Sequence, residues 1–304
     1  MGEIKLKTAI LILGYRRPEL LSRLLLQLDN LEVNRVYVSI DAAPAEDVQT
    51  AHKVQKCRDV AEEFVKNNPK RFLRTSNIHY GCRKGVISAI DWFFESEEEG
   101  IILEDDLKIG DSLPYIGDLL TSQFRNVPSV GSVSLYRAQS YEFIRNSKDV
   151  LISSPYPSSW GWITWRDRWK EFTSKETSEY GEMKRLQKYF MHGGFLGFRR
   201  WREVERRIRS GELDSWAYPW LFTHWLNGWH SIIVPRNMVE NTGFHDWATH
   251  TKRGKSQPIA EPQSVTFRFD QLARVDKRAQ RELLQEIYGI PPLTERFQML
   301  LKGQ

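Results

Sequence analysis

Five consecutive apolar residues, Ala9-Ile10-Leu11-Ile12-Leu13, stop at Gly14 and give way at once to a leucine pattern of a different period. A continuous apolar run suits a strand covered on both faces. Pro18 suits the first turn of a helix. Leu20, Leu24, Leu28 and Leu31 then recur at helical spacing, with Leu21 and Leu25 beside them. The alternation repeats downstream. Val36-Tyr37-Val38-Ser39-Ile40 reads as a second strand ending at Asp41, and Asp47 to Asn67 as a long helix. Asn77 to Gly85 reads as a loop holding Gly81 and Gly85. Val86, Ile90, Phe93 and Phe94 mark another helix face, and Ile101-Ile102-Leu103 is a short buried strand running into Glu104-Asp105-Asp106. This order predicts an α/β fold: a mostly parallel, Rossmann-like sheet flanked by helices. In such sheets ligands bind at the carboxyl ends of the strands. Tyr15-Arg16-Arg17, Asp41 and Glu104-Asp105-Asp106 all fall at those ends.

The second half has another character. Ten of the eleven tryptophans lie beyond residue 159, and the strand signals there are short: Ser132-Val133-Ser134-Leu135 and Ile232-Ile233-Val234. Large aromatics are more often core than ligand-facing, so most of these tryptophans read as packing. Nine Lys or Arg residues fall between Lys184 and Arg209, a stretch that reads as helical. After about Arg253 the sequence turns polar, and a short amphipathic tail follows with Leu283, Leu284, Ile287 and Tyr288. The expected division is 1–108 for one half of the domain, 109–257 for the other, and 258–304 for a polar C-terminal segment.

The net charge of +5 favours anionic partners: a nucleotide diphosphate, an anionic membrane surface or a nucleic acid. No nucleic-acid motif accompanies it, so nucleic acid is not an expected partner. The apolar part of the N-terminus, Thr8 to Gly14, is too short to span a membrane, and Leu6 stands where a myristoylation pattern needs Ser or Thr. Two widely separated cysteines, Cys57 and Cys82, make neither a disulfide framework nor a metal cluster. The expectation is a cytoplasmic protein without a transmembrane anchor. Contact with the inner face of a membrane through Lys184 to Arg209 is set against the plainer reading of a solvated helix face.

Three adjacent carboxylates after a buried strand repel one another, and a cation would relieve that repulsion. Mg²⁺ and Mn²⁺ take carboxylate oxygens together with substrate phosphates. A solvated acidic turn is the competing reading, and the apolar strand directly before the run speaks against it.

The stretch IILEDDLKIGD, Ile101 to Asp111, resembles the metal-binding segment of GT-A glycosyltransferases. The nearest likeness is to the Golgi β-1,2-N-acetylglucosaminyltransferase family and its bacterial relatives. The resemblance implies a GT-A fold, with Asp106 on Mn²⁺ or Mg²⁺, Asp105 by the nucleotide and Glu104 in a supporting place. It also implies that Arg16 contacts the nucleotide, although Tyr15 stands where the family has Asp, and that Asp41 in Ser39-Ile40-Asp41 reads the base. Trp162 in Trp160-Gly161-Trp162 matches a residue that shapes the floor of the donor and acceptor sites. Leu213-Asp214-Ser215-Trp216 matches the segment with the catalytic base, which makes Asp214 the candidate. Thr242-Gly243-Phe244 and Thr249-His250 match a closing loop, and this gives His250 a place beside the donor. Arg83 and Lys84 occupy the region where the family has a histidine, and both could face a diphosphate.

The implied activity is transfer of a sugar from a nucleotide-sugar, with UDP the expected nucleotide, to a hydroxyl of a glycan or lipid-linked sugar. A single base opposite the metal implies inversion at the anomeric carbon. Two other readings stand beside it. A sugar-1-phosphate nucleotidyltransferase shares the sheet but opens with a Gly-rich loop, whereas Leu13 to Pro18 holds one glycine. A glycan-binding protein without catalysis is left open by Ser215 standing beside Asp214. Asp214 also suits the cap of a helix starting near Trp216.

Overall fold

The computed structural model describes residues 6–31, 33–138, 150–176, 186, 189, 191, 194–243, 258–259, 268–274 and 284. β1 (Ala9–Gly14) lies inside a nine-stranded sheet. β2 (Val36–Ile40) and β3 (Arg71–Thr75) follow outward on one side, and β4 (Glu99–Glu104) lies on the other. All three pairings are parallel. The direction of build-up therefore reverses between β1 and β4. The crevice beyond their carboxyl ends is a topological switch point, where open α/β sheets bind ligands.

β8 (Trp162–Trp165) is inserted antiparallel between β4 and β6 (Val130–Ser134). Beyond β6 lie β9 (His230–Ile233), β7 (Val150–Ser154) and β11 (Arg268–Arg274). Five of the eight pairings in this sheet are parallel, so the expected mostly parallel architecture is present. β5 (Leu107–Ile109) and β10 (Val239–Asn241) form a separate antiparallel ribbon.

Helices cover both faces, and the burial pattern of β1 shows why its apolar run had to be continuous. Ile10 and Ile12 pack with α1 (Pro18–Asn30), α2 (Val48–Val65) and α4 (Leu113–Phe124). Ala9 and Leu11 pack on the opposite face with α3 (Gly81–Ser96), α5 (Arg166–Glu176) and the Trp220 side of α7 (Ala217–Asn227). Full burial of each such side chain contributes roughly 1.5–3 kcal/mol. α6 (Gly194–Arg209) packs on α7 through Trp201. Most tryptophans are core: Trp162, Trp165, Trp169, Trp201 and Trp225 are all fully buried.

Several expectations need correcting. The stretch Asn77 to Gly85 is not all loop, because α3 begins at Gly81. β3 (RFLRT) was not anticipated, since its charged residues hide its period at the sheet edge. β7 and β8 were likewise not anticipated. The polar segment after residue 258 supplies β11, parallel to β7. Asp214 does not cap α7, whose N-cap residue is Trp216 without a side-chain bond. Most of the C-terminal tail lies outside the described residues, though Leu284 is buried. Among the described residues no helix is long and apolar enough to cross a membrane, and both cysteines are free thiols.

His224 on α7 offers a test of this packing. Its Nδ1 lies 3.0 Å from the Trp220 carbonyl and its Nε2 3.0 Å from Ser132 Oγ, which in turn hydrogen-bonds Ser231 Oγ at 3.0 Å. A carbonyl can only accept, so Nδ1 carries the proton. The ring is neutral, and burial pushes its pKa down to about 3. The unfolded chain then binds one more proton than the native state between about pH 6.5 and the folded value, so stability falls as pH falls through that window. The expected slope is at most about 1.4 kcal/mol per pH unit. Urea unfolding across pH 4 to 7 (chosen assay range, roughly that window) should show a flatter acid limb for His224→Gln than for the native chain. An unchanged limb would contradict the neutral, buried ring.

Candidate functional site

Parallel pairing of Leu13 with Glu104 brings the residues after β1 alongside those after β4. The Asp105 amide donates to the Leu13 carbonyl at 3.0 Å, which continues the pairing one residue past the strand. The Tyr15 amide then donates to Asp105 Oδ2 at 3.1 Å. Arg17 sits at the N-cap position of α1, where its side chain makes no cap bond. It reaches across the switch point instead. Its guanidinium lies 2.6 Å from Asp105 Oδ1, a charge contact without hydrogen-bond alignment, and donates to Asp106 Oδ2 at 2.5 Å. Burial works against the charged Arg17, but Asp105, Asp106 and Glu104 outweigh it and raise its pKa further. The cation the acidic run needs is thus supplied, in part, by the chain itself. Asp106 Oδ1 remains buried without a hydrogen-bond partner.

The three acids do not share one set of neighbours. Burial raises the pKa of Glu104, and repulsion from Asp106 adds to it. Part of Glu104 reaches the surface, yet its surroundings are dense enough that the upward direction holds. Burial also raises Asp105, with Arg17 pulling the other way. Cys57 on α2 feels Asp105, whereas Cys82 on α3 feels Glu104. Neighbouring residues at the end of a strand point to opposite faces. Burial, then the Glu104 and Asp214 carboxylates, push the Cys82 thiol up to about 12, so it is no nucleophile at neutral pH.

The start of α3 is held by two carboxylates from elsewhere in the chain. Asp41, at the end of β2, accepts from the Tyr80 amide at 3.2 Å and from the Gly81 amide at 3.1 Å. Asp214 accepts from the Cys82 amide at 2.8 Å and the Arg83 amide at 3.0 Å. Four successive amides at a helix N-terminus have no intrahelical partner, and here all four are satisfied. A negative charge there is also favoured by the helix dipole. Gly81 has φ of +76°, and a Cβ on it would come within 2.7 Å of Asp214 Oδ2. Only glycine suits that turn and that approach. His79 completes the cluster: its Nδ1 lies 2.6 Å from the Ala42 carbonyl and 3.2 Å from Asp41 Oδ2, and its ring stacks on Tyr15.

The β5–β10 ribbon closes over Asp106. The Thr242 amide and Oγ1 both donate to the Asp106 carbonyl, at 2.9 and 2.8 Å. Arg23 of α1 donates to Thr242 Oγ1 at 2.5 Å. A Cβ at Gly243 would come within 2.2 Å of Asp106 Oδ2. The expected closing segment therefore does lie on the acidic run as far as Gly243. Its continuation, with His250, falls outside the described residues.

The expected residues separate into groups. Asp105 and Asp106 meet Arg17 directly, while Asp41, Asp214, Arg83 and Lys84 gather at the start of α3. Arg16 is not the arginine on the acidic run; its guanidinium lies 5.7 Å from the centroid of the Tyr15 ring. Trp162 is 1% exposed and stacks on Trp216 at 5.5 Å, so it supports the site from within the core instead of lining it. His79 is a residue sequence reasoning missed, and Arg17 was placed at the strand end without an assigned role. An arginine directly before Pro18, at a helix N-cap, was the available signal, because that position favours small oxygen-bearing side chains.

A scan against known protein-family models finds no match, nor does a search of curated protein sequences. Some solved structures share a partial likeness. HddC from Yersinia pseudotuberculosis is 14% identical, with 53% of this chain and 77% of that one covered and a TM-score of 0.31. A putative glucose-1-phosphate thymidylyltransferase from Bacillus anthracis, in complex with a sucrose, is 8% identical, with coverages of 61% and 82% and a TM-score of 0.34. Mouse xyloside xylosyltransferase 1, apo form, is 11% identical, with coverages of 72% and 81% and a TM-score of 0.31. Identities and scores are all low, and the site is read from its own residues.

Two substitutions probe the geometry. Arg17→Met leaves buried Asp105 and Asp106 without their partner and should cost about 3–5 kcal/mol in chemical unfolding. Adding Asp105→Asn should return part of that loss; strictly additive losses would mean the pair is not coupled. Gly243→Ala should destabilise by about 1–3 kcal/mol through overlap with Asp106. A thermal midpoint equal to that of the native chain would show that the ribbon does not press on this carboxylate.

Proposed function

We propose that this chain is a metal-dependent, inverting GT-A glycosyltransferase that moves a sugar from a nucleotide-sugar to a hydroxyl of a glycan or lipid-linked sugar. One observation carries the reading: an apolar parallel strand delivers buried Asp105 and Asp106 to the switch point between β1 and β4, facing Arg17. Open α/β sheets bind ligands at that place.

The residues present fit a hard divalent cation. Asp106 Oδ1 is a buried, unpartnered carboxylate oxygen. Among the described residues no group of three or more His, Cys, Asp or Glu side chains could hold a metal, so the donor phosphates would supply further ligands. Mn²⁺ or Mg²⁺ held by Asp106 would neutralise the charge on a departing nucleoside diphosphate. Arg17 adds a fixed positive charge beside it, and Arg83 and Lys84 lie at the start of α3 within the same polar cluster. The stacked Tyr15–His79 pair beside Asp41 supports a nucleobase end there. A carboxylate opposite the diphosphate would accept the acceptor's hydroxyl proton, and Asp214 is the candidate.

A second reading has its own observation. Both Asp214 oxygens already accept α3 amides, which suits a purely structural carboxylate in a nucleotide- or glycan-binding protein. Asp214→Asn separates the two. Asparagine keeps a carbonyl oxygen for a helix amide but cannot accept a proton. Under the transferase reading, turnover should fall by roughly 10²–10⁴ while donor binding persists. Retained turnover would make Asp214 a positioning residue only. The class itself is tested by thermal shift with UDP, other nucleotides and nucleotide-sugars, with and without Mn²⁺. A nucleotide at about a hundredfold its Kd for the metal-loaded protein should stabilise by about 2.7 kcal/mol with metal, and by less at the same concentration without it. No shift with any nucleotide would sink the proposal.

A further inference from the structure

α6 divides by charge along its length. Its inward side, with Trp201, Val204 and Ile208, is buried, and Trp201 stands edge-on to Trp225 of α7 at 5.1 Å. Towards its end the arginines are already neutralised. Arg206 pairs with Glu203 at 2.8 Å and Glu212 at 2.7 Å, Arg207 lies 3.8 Å from Glu212, and Arg209 pairs with Glu205. Arg199, Arg200 and Arg202 differ. All three are exposed, and among the described residues none has an ion pair or hydrogen bond. Just before them Phe195 is 69% exposed and Met191 49%.

Positions 195, 199 and 202 are four and three residues apart, so they form one outward stripe of the helix. Adjacent guanidinium groups without counter-charges repel each other, and an open phenyl ring meets water unfavourably. A surface that is anionic at its face and apolar just beneath relieves both at once. A bilayer containing anionic lipid has that layered chemistry. A nucleic acid or other soluble polyanion supplies the charge without the apolar layer.

We infer that the first half of α6 docks this protein on an anionic lipid surface, with Arg199 and Arg202 on the headgroups and Phe195 and Met191 in the interface. Among the described residues of the basic stretch, Arg199 and Arg202 are the ones on this stripe, because the final turns are paired internally. Docking there also holds α7 at the membrane, and α7 follows directly on the Asp214 segment.

The test is co-sedimentation of the full chain with phosphatidylcholine vesicles, with and without phosphatidylglycerol. Binding should require the anionic lipid and weaken steeply as salt is raised. Each of Arg199→Gln and Arg202→Gln should lower the partition coefficient about fivefold. Phe195→Ser should lower it further and leave the salt dependence in place. These positions are exposed, so unfolding midpoints should match the native chain; the salt titration of the unaltered protein stands even if one variant does not fold. No binding at low salt would overturn the proposal. So would a double variant of Arg199 and Arg202 that binds like the native chain, or capture by heparin without capture by vesicles.

Discussion

The pairing of β1 with β4 is the constraint on which the rest depends. Parallel strands need long crossovers, and the two helical layers provide them. Because β4 returns to the far side of β1, the chain leaves an open crevice where the two strands end. Arg17 closes that crevice from one strand, and Asp105 and Asp106 close it from the other. Burying two acids this close is costly without a partner, and Arg17 offsets that cost just beyond the ends of the two strands. The Asp105 amide bond to Leu13 and the Tyr15 amide bond to Asp105 then fix the register of both segments.

The start of α3 links the two halves of the molecule. Asp41 comes from the parallel block, and Asp214 comes from the aromatic half. Each satisfies amides that the helix cannot satisfy itself. The Trp162–Trp216 stack supports the Asp214 segment, and Trp162 belongs to β8, which pairs with β4. The acidic run and Asp214 are therefore joined by two routes, one through α3 and one through the indole stack.

Much of the parallel block was legible in the sequence. The apolar runs of β1, β2 and β4 announced themselves because both faces are buried and only Ser39 interrupts them. Their ends marked the site for the same reason: the first polar residue after such a run must sit at the sheet edge. What could not be read was chosen by tertiary contact. Arg16 and Arg17 are indistinguishable by type, and only the turn into α1 decides which one meets the carboxylates. Asp214 looked like a local cap for α7 and caps α3 instead, because capping depends on distance in space, not along the chain. The start of α3 was hidden by two glycines and two basic residues, which resemble a loop until the distant carboxylates are in place. β8 was masked by its tryptophans, and β11 by a polar sequence at the sheet edge.

Residues 104, 105 and 106 look like one patch of negative charge when written as a line. Only Glu104 is on the strand, near α3 and Cys82, while Asp105 and Asp106 lie in the turn beyond it, where Arg17 meets both. Inserting or deleting one residue ahead of Glu104 would keep the composition and present a different pair of positions to Arg17. The motif is better described as a phase than as a charge: what folding fixes is which two of the three acids the arginine meets.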